Sequence, residues 1–78
     1  MLMISVTPFN EGWAVRAQGM DNAMVFASGA KAEAAARRLA GNMAASGQPA
    51  EIEIWLRDGL LGGRFTWSVN SGSEPQTN

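Results

Sequence analysis

The sequence predicts one α+β domain, in which a single antiparallel sheet of four to five strands carries one helix across one face. Three observations predict this class. Apolar and polar residues alternate along segments near both ends of the chain, as they do in half-buried strands. An alanine-rich central segment instead repeats its apolar residues at helical spacing. Turn-forming residues separate these segments, so the expected order is β-β-(β)-α-β-β, with the third strand optional.

The first two strands are expected to form a hairpin. Residues 2–8 and 12–17 both alternate, and the Asn10-Glu11 turn lies between them. A turn centred there pairs Val6 with Val15, which keeps the apolar side chains of both strands on one face. The short segment 23–27 is expected to add the third strand.

A helix is expected from Ala30 to Ala45. Apolar residues recur there at intervals of three and four, and alanine is the strongest helix former. Gly47 is expected to end the helix, because glycine readily adopts the left-handed backbone angles that close a helix C-terminus.

A second hairpin is expected after the helix. Residues 51–57 alternate, and Asp58-Gly59 is a strong signal for a two-residue hairpin turn. The last strand is expected to run to about Val69. Residues 1–69 would then form the single domain, and the polar residues 70–78 a disordered tail. The turn predicts five cross-strand pairs: Leu56 with Leu61, Trp55 with Gly62, Ile54 with Gly63, Glu53 with Arg64, and Ile52 with Phe65.

These elements predict one apolar core between the sheet and the helix. Small helix side chains would let the helix lie close to the sheet and leave room for large aromatic rings at the edges. The expected core residues are Ile4, Val6, Trp13, Val15, Phe26, Ala35, Ala36, Leu39, Met43, Ile52, Ile54, Leu56, Phe65 and Trp67.

The composition limits the chemistry that the chain can perform. It has 78 residues, a net charge of −1 and no His, Cys or Tyr. Those side chains supply most general bases, thiolate nucleophiles and transition-metal ligands. We therefore expect a protein that is not an enzyme and needs no metal or other cofactor. The absence of cysteine fits a cytoplasmic location. No segment resembles a signal peptide or a membrane span, so no membrane partner is expected.

Two further patterns have both a functional and a structural interpretation. Glu51 and Glu53 share a strand face and could hold a hard cation, or they could pair with Arg64 across the hairpin. The glycine-rich segment 59–63 lacks the lysine and the helix of a phosphate loop. Gly62 is expected instead to accept the ring of Trp55 across the strands.

Trp55 is the main candidate for an interaction surface. It is predicted to project from the sheet face that the single helix leaves open, near several charged residues, and Trp and Arg are the usual anchors of protein interfaces. The alternative is that Trp55 only covers Gly62. The expected function is binding of protein, including self-association as a homodimer, through the open face or an edge strand. A nucleic-acid-associated accessory role, with Trp55 stacking on a base, is the less favoured alternative, because the dispersed cations offer little phosphate neutralisation. The candidate binding residues are Trp55, Arg57, Arg64, Arg16 and Glu53.

Three short segments also carry a resemblance to a known family. Gly12-Trp13-Ala14-Val15, Lys31-Ala32-Glu33-Ala34 and Arg57-Asp58-Gly59 occur in that order. Together they resemble a small prokaryotic family of domains of unknown function, number 2188, over about residues 4–66. The resemblance implies a strand pair, a helix and a hairpin that turns at Asp-Gly. Ala30 replaces the threonine with which such a helix usually begins, so Ser28 or Gly29 would provide the cap. The family is uncharacterised, so it implies no activity, ligand or catalytic residue.

Overall fold

The computed structural model of the protein describes residues 1–68. Val69 and the tail predicted over residues 70–78 lie outside the described residues. The elements follow the expected order, and the third strand is present. They are β1 (Leu2–Phe9), β2 (Gly12–Ala17), β3 (Met24–Phe26), α1 (Gly29–Ala45), β4 (Ala50–Trp55) and β5 (Leu61–Trp67).

The strands form one open sheet in the order β3-β2-β1-β4-β5, and α1 packs across one face. The sheet is mixed, because β1 and β4 run parallel while the other neighbouring pairs are antiparallel. The prediction of a purely antiparallel sheet is therefore wrong. The reason is β3: after three strands of alternating direction, a helix that returns across the sheet leaves β4 running in the same direction as β1.

Both predicted hairpins form, and one register differs. Val6 faces Val15 in the first hairpin, as expected. In the second, Ile52 faces Phe65 as expected, but the register shifts between Ile54 and Trp55. A shift of this kind is a β-bulge, which adds one residue to one strand and turns the following side chains.

Both ends of α1 are capped. The helix begins one residue earlier than predicted, because Ser28 is the N-cap and its Oγ accepts a hydrogen bond from the Lys31 N–H at 3.2 Å. At the other end Gly47 has a φ of 97°, and its N–H donates to the Ala44 carbonyl at 3.0 Å. Gly47 thus ends the helix as predicted.

The core lies between α1 and the sheet face that the helix covers. Ala32, Ala36 and Ala40 of α1 are fully buried, so the helix backbone approaches the strands closely. Leu56 and Phe65 were expected in the core, yet they are 42% and 39% exposed. Leu56 follows the end of β4, and Phe65 lies on the edge strand β5, which has a neighbouring strand on only one side. The largest fully buried side chains are Ile4, Ile52, Val6 and Val15.

Candidate interaction surface

Most of the predicted binding residues lie on the sheet face opposite α1, which we call the open face. Strand pairing places Arg16, Ser5, Glu53 and Arg64 in one row across β2, β1, β4 and β5. Because neighbouring strands are about 4.8 Å apart, the backbones at Arg16 and Arg64 are separated by about 14 Å. Glu53 lies between them, so the charge alternates along the row.

Arg64 is held by two glutamates of the neighbouring strand. Its Nε lies 2.9 Å from Glu51 Oε2, and its Nη2 lies 2.9 Å from Glu53 Oε2. The two carboxylates project from the same face of β4 because the side chains of a strand alternate between faces. The predicted pair of Glu53 with Arg64 is therefore confirmed, and Glu51 joins it. Half of the Arg64 side chain remains exposed, so the network adds little to stability, about 0–1 kcal/mol for each pair.

Arg57 lies away from the open face and braces the first hairpin. Its Nη1 donates to the Asn10 carbonyl at 2.9 Å, and its Nη2 donates to the Gly12 carbonyl at 2.8 Å. The guanidinium also lies 5.2 Å from the ring centre of Trp13. Since β1 and β4 are parallel, the residues that follow β4 lie beside the turn that follows β1, which brings these groups together.

Trp55 does not cover Gly62. It is half-buried and pairs with Leu61, so the predicted pairs of Trp55 with Gly62 and of Leu56 with Leu61 are wrong. The physical reason is the bulge, which leaves Gly62 as an extra residue. A Cβ added at Gly62 would lie 2.8 Å from Leu56 Cδ2, so Leu56 is the side chain that packs over this glycine.

Exposed apolar side chains occur along β5 and directly before it, a feature that the sequence did not predict. Leu61 pairs with Trp55 of the open face, and Phe65 pairs with Ile52 of the helix-covered face. Leu60 is 63% exposed, and Leu61 and Phe65 are each 39% exposed. We use the name β5 edge for these three side chains together with the outward backbone of Leu61–Trp67. The available signal was two adjacent leucines directly after the Asp-Gly turn. The Phe65 ring is partly covered by α1, because the Arg37 guanidinium lies 5.2 Å from its centre.

Residues 1–68 contain neither a cluster of metal-ligating side chains nor a membrane-spanning helix. Within residues 1–68, no group of three or more acidic, histidine or cysteine side chains is arranged to hold a metal ion. No helix in that part of the chain combines the length and apolarity needed to cross a membrane. The nucleic-acid alternative stays a prediction. The described residues do not supply the continuous basic surface that it needs, because Arg64 is paired with glutamates and Arg57 is bound to backbone carbonyls.

Comparison with protein families gives one match. A model described as an uncharacterised protein conserved in bacteria, DUF2188, matches residues 4–66. The chain belongs to the DUF2188 family. The resemblance noted from the three short segments is therefore confirmed. No curated protein and no solved structure matches this DUF2188 chain.

Two of the three segments that resemble the DUF2188 pattern meet at one corner of the fold, beside the residue that begins α1. Arg57 contacts Gly12 and Trp13, as described above, and the Trp13 ring lies against the start of α1, where a Cβ at Gly29 would be 3.3 Å from Trp13 Cε2. A Cβ at Gly12 would collide with the carbonyl oxygen of Phe26, so only glycine fits there. These DUF2188 residues therefore have a structural role, in joining the first hairpin, the helix and the second hairpin.

Proposed function

We propose that the protein is a small interaction module that binds other proteins through the β5 edge and performs no catalysis. The observation that carries this proposal is that exposed apolar side chains and an unpaired strand backbone occur at the same place. β5 ends the sheet, so within residues 1–68 no strand pairs with its outer side. An edge strand of this kind can accept a further strand through main-chain hydrogen bonds, while neighbouring side chains provide specificity.

The other surfaces of the sheet are less suited to binding a protein than the β5 edge. On the open face, the charged groups of β4 and β5 already bind each other. At the opposite edge, β3 has only three residues and so offers little backbone to a partner. β5 has seven residues, of which five are exposed and two are half-buried. Of the two edge strands among residues 1–68, β5 is therefore the longer, and exposed apolar side chains lie on it and directly before it.

The non-catalytic part of the proposal is supported by the side chains available. A chain without His or Cys needs a mechanism that uses only carboxylates or hydroxyls, and Glu51 and Glu53 are engaged by Arg64. We further propose a cytoplasmic location, which the lack of cysteine supports.

A comparison of immobilised variants tests the proposed function. Wild-type protein, Phe65→Lys and Val25→Lys are exposed in parallel to a lysate of the source organism, and the retained proteins are identified by mass spectrometry. Val25 is the matched control, because it is 58% exposed on the opposite edge strand. We expect a specific set of proteins on the wild type and on Val25→Lys that is lost from Phe65→Lys.

Folding is checked first by circular dichroism, because a variant that does not fold cannot report on binding. Identical sets of retained proteins on all three folded baits would overturn the proposal that the β5 edge is the binding surface. If the retained proteins are lost only from Val25→Lys, the binding surface lies at β3 and not at the β5 edge.

A further inference from the structure

We infer that the protein bound at the β5 edge is a second copy of this chain, and that the two β5 strands pair antiparallel about a two-fold axis at Phe65. This inference rests on the proposed function and names its partner. The two copies would form one continuous sheet, and both helices would lie on the same side, because the axis is perpendicular to the sheet. Such isologous pairing is the commonest symmetry of soluble oligomers.

The regular part of β5 determines where the axis lies. The bulge disturbs the pairing at Leu61 and Gly62, whereas Gly63–Trp67 pairs with β4 without interruption. Phe65 is the central residue of that five-residue segment. In a symmetric antiparallel pair, the central residue faces its own copy across the axis, so the longest undisturbed pairing is the one centred on Phe65.

Side-chain complementarity selects the same register. With Phe65 at the axis, Gly63 faces Trp67 of the second copy. The Phe65 ring lies over Gly63, since a Cβ at Gly63 would be 3.3 Å from Phe65 Cε2, so the Trp67 ring of the second copy would pack against an aromatic ring. Trp67 is half-buried against the core, on the same sheet face as Phe65. On the other face, Arg64 would lie across from Thr66 of the second copy, which carries no charge.

The neighbouring registers are less favourable. Moving the axis by one residue to Arg64 places the two arginines directly opposite each other, and like charges at such positions are destabilising. Moving it further to Gly63 places two glycines at the axis and includes the bulged residues in the pairing. The Phe65 register avoids the charge clash and the empty centre of these two shifts. A shift the other way, to Thr66, would leave only Phe65–Trp67 of β5 in the symmetric pairing, because β5 ends at Trp67.

A dilution series tests the self-association. Five paired residues on each copy are fewer than the roughly 20–30 of a standard interface, so we expect a weak dimer that dissociates on dilution. The wild type, Phe65→Lys and the control Val25→Lys are compared by sedimentation equilibrium over about 1 μM to 1 mM. We expect Phe65→Lys to raise the dissociation constant at least about tenfold, because it places two lysines opposite each other, and Val25→Lys to leave the dissociation constant unchanged.

Single cysteines test the register. The chain has no cysteine, so each variant carries a single thiol. Directly opposite residues of an antiparallel pair have Cα atoms about 4.5–5.5 Å apart, within the range of a disulfide. We expect Phe65→Cys to form a covalent dimer under mild oxidation, faster than Arg64→Cys or Thr66→Cys. Faster cross-linking of Arg64→Cys would overturn the Phe65 register.

Binding at the β5 edge and the identity of the partner can fail separately. A wild type that stays monomeric at 1 mM, the top of the dilution range, and a Phe65→Cys variant that does not cross-link would overturn the inference about the second copy. If the immobilised wild type still retains proteins that Phe65→Lys does not, the proposed function survives with a different partner. If those proteins are also absent, both are wrong.

Discussion

One arginine connects parts of the chain that are far apart in sequence. Arg57 donates to two carbonyls at the turn between β1 and β2, and its guanidinium lies against Trp13, which in turn contacts the start of α1. Hydrogen bonds from a charged donor are stronger than neutral ones. Here they link the backbone of the first turn to the residue that follows Leu56. A single exposed side chain therefore sets the position of the first hairpin relative to the second.

Replacing Arg57 by alanine is expected to destabilise the protein by about 1–2 kcal/mol, because two charged hydrogen bonds and one cation–π contact are lost. Urea denaturation followed by tryptophan fluorescence measures the change. Arg16→Ala is the matched control: Arg16 is an exposed strand arginine whose side chain makes no hydrogen bond or ion pair among residues 1–68, and its loss should change stability by less than about 0.5 kcal/mol. Equal effects of the two replacements would show that Arg57 does not brace the turn.

At this scale the sequence predicted one of the two arginine sites. The pairing of Glu53 with Arg64 was predicted by counting from a two-residue turn at Asp58-Gly59. The turn differs, because the Leu56 N–H donates to the Leu60 carbonyl, and the extra residue at the bulge restores the predicted register from Ile54 onwards. The Arg57 contacts could not be counted in this way. They depend on β1 and β4 lying side by side in parallel, and no local pattern encodes which distant strand becomes a neighbour.

Among the elements, α1 is capped by a serine hydroxyl two residues before the position at which the family pattern has threonine. Ser28 occupies the N-cap, and Ala30 lies inside the first turn of the helix. A threonine at position 30 could not take over the cap, because a residue with helical backbone angles does not direct its hydroxyl to the free N–H groups of the first turn. The departure from the family pattern at Ala30 is thus compensated two residues earlier.

Ser28→Ala is expected to cost about 1 kcal/mol, since the Lys31 N–H loses its acceptor. Thermal denaturation monitored by circular dichroism at 222 nm measures this loss. The double variant Ser28→Ala with Ala30→Thr should be no more stable than Ser28→Ala alone. Recovery of wild-type stability in the double variant would place the helix start at residue 30.

The strands were predicted correctly, but the direction in which β4 runs relative to β1 was not. Each strand was expected from its alternation, yet the sheet type depended on β3, a three-residue element that the pattern supports weakly. With β3 present, β4 runs parallel to β1. The bulge near Trp55 was also unforeseen, and it moved Leu56 out of the strand and onto Gly62.

The molecule as a whole has a small core. Four side chains larger than alanine are fully buried within residues 1–68, and the helix contributes only alanines to the fully buried set. A domain of this size typically retains only about 3–5 kcal/mol of net stability from its core. Loss of one large core side chain is therefore comparable to the entire stability of the fold.

Ile52→Ala is expected to cost about 2–5 kcal/mol and to leave much of the protein unfolded at 25 °C. Ile52 is 1% exposed, at the centre of the sheet between β1 and β5. The dispersion of amide signals in a proton–nitrogen correlation spectrum reports the folded fraction. Val25→Ala, which shortens an exposed aliphatic side chain, is the control and should keep the native spectrum. A well-dispersed spectrum for Ile52→Ala would mean that the core tolerates a cavity at this position.

The parallel pairing of β1 with β4 also has a consequence for how the chain is made. β1 is synthesised before β2, β3 and α1, but β4, its neighbour in the sheet, is synthesised only after them. Until then Ile4 and Val6 lack the strand that completes their surroundings. The nascent polypeptide therefore carries an unfinished apolar surface while those three elements are made, and the cooperative structure can close only once β4 has left the ribosome.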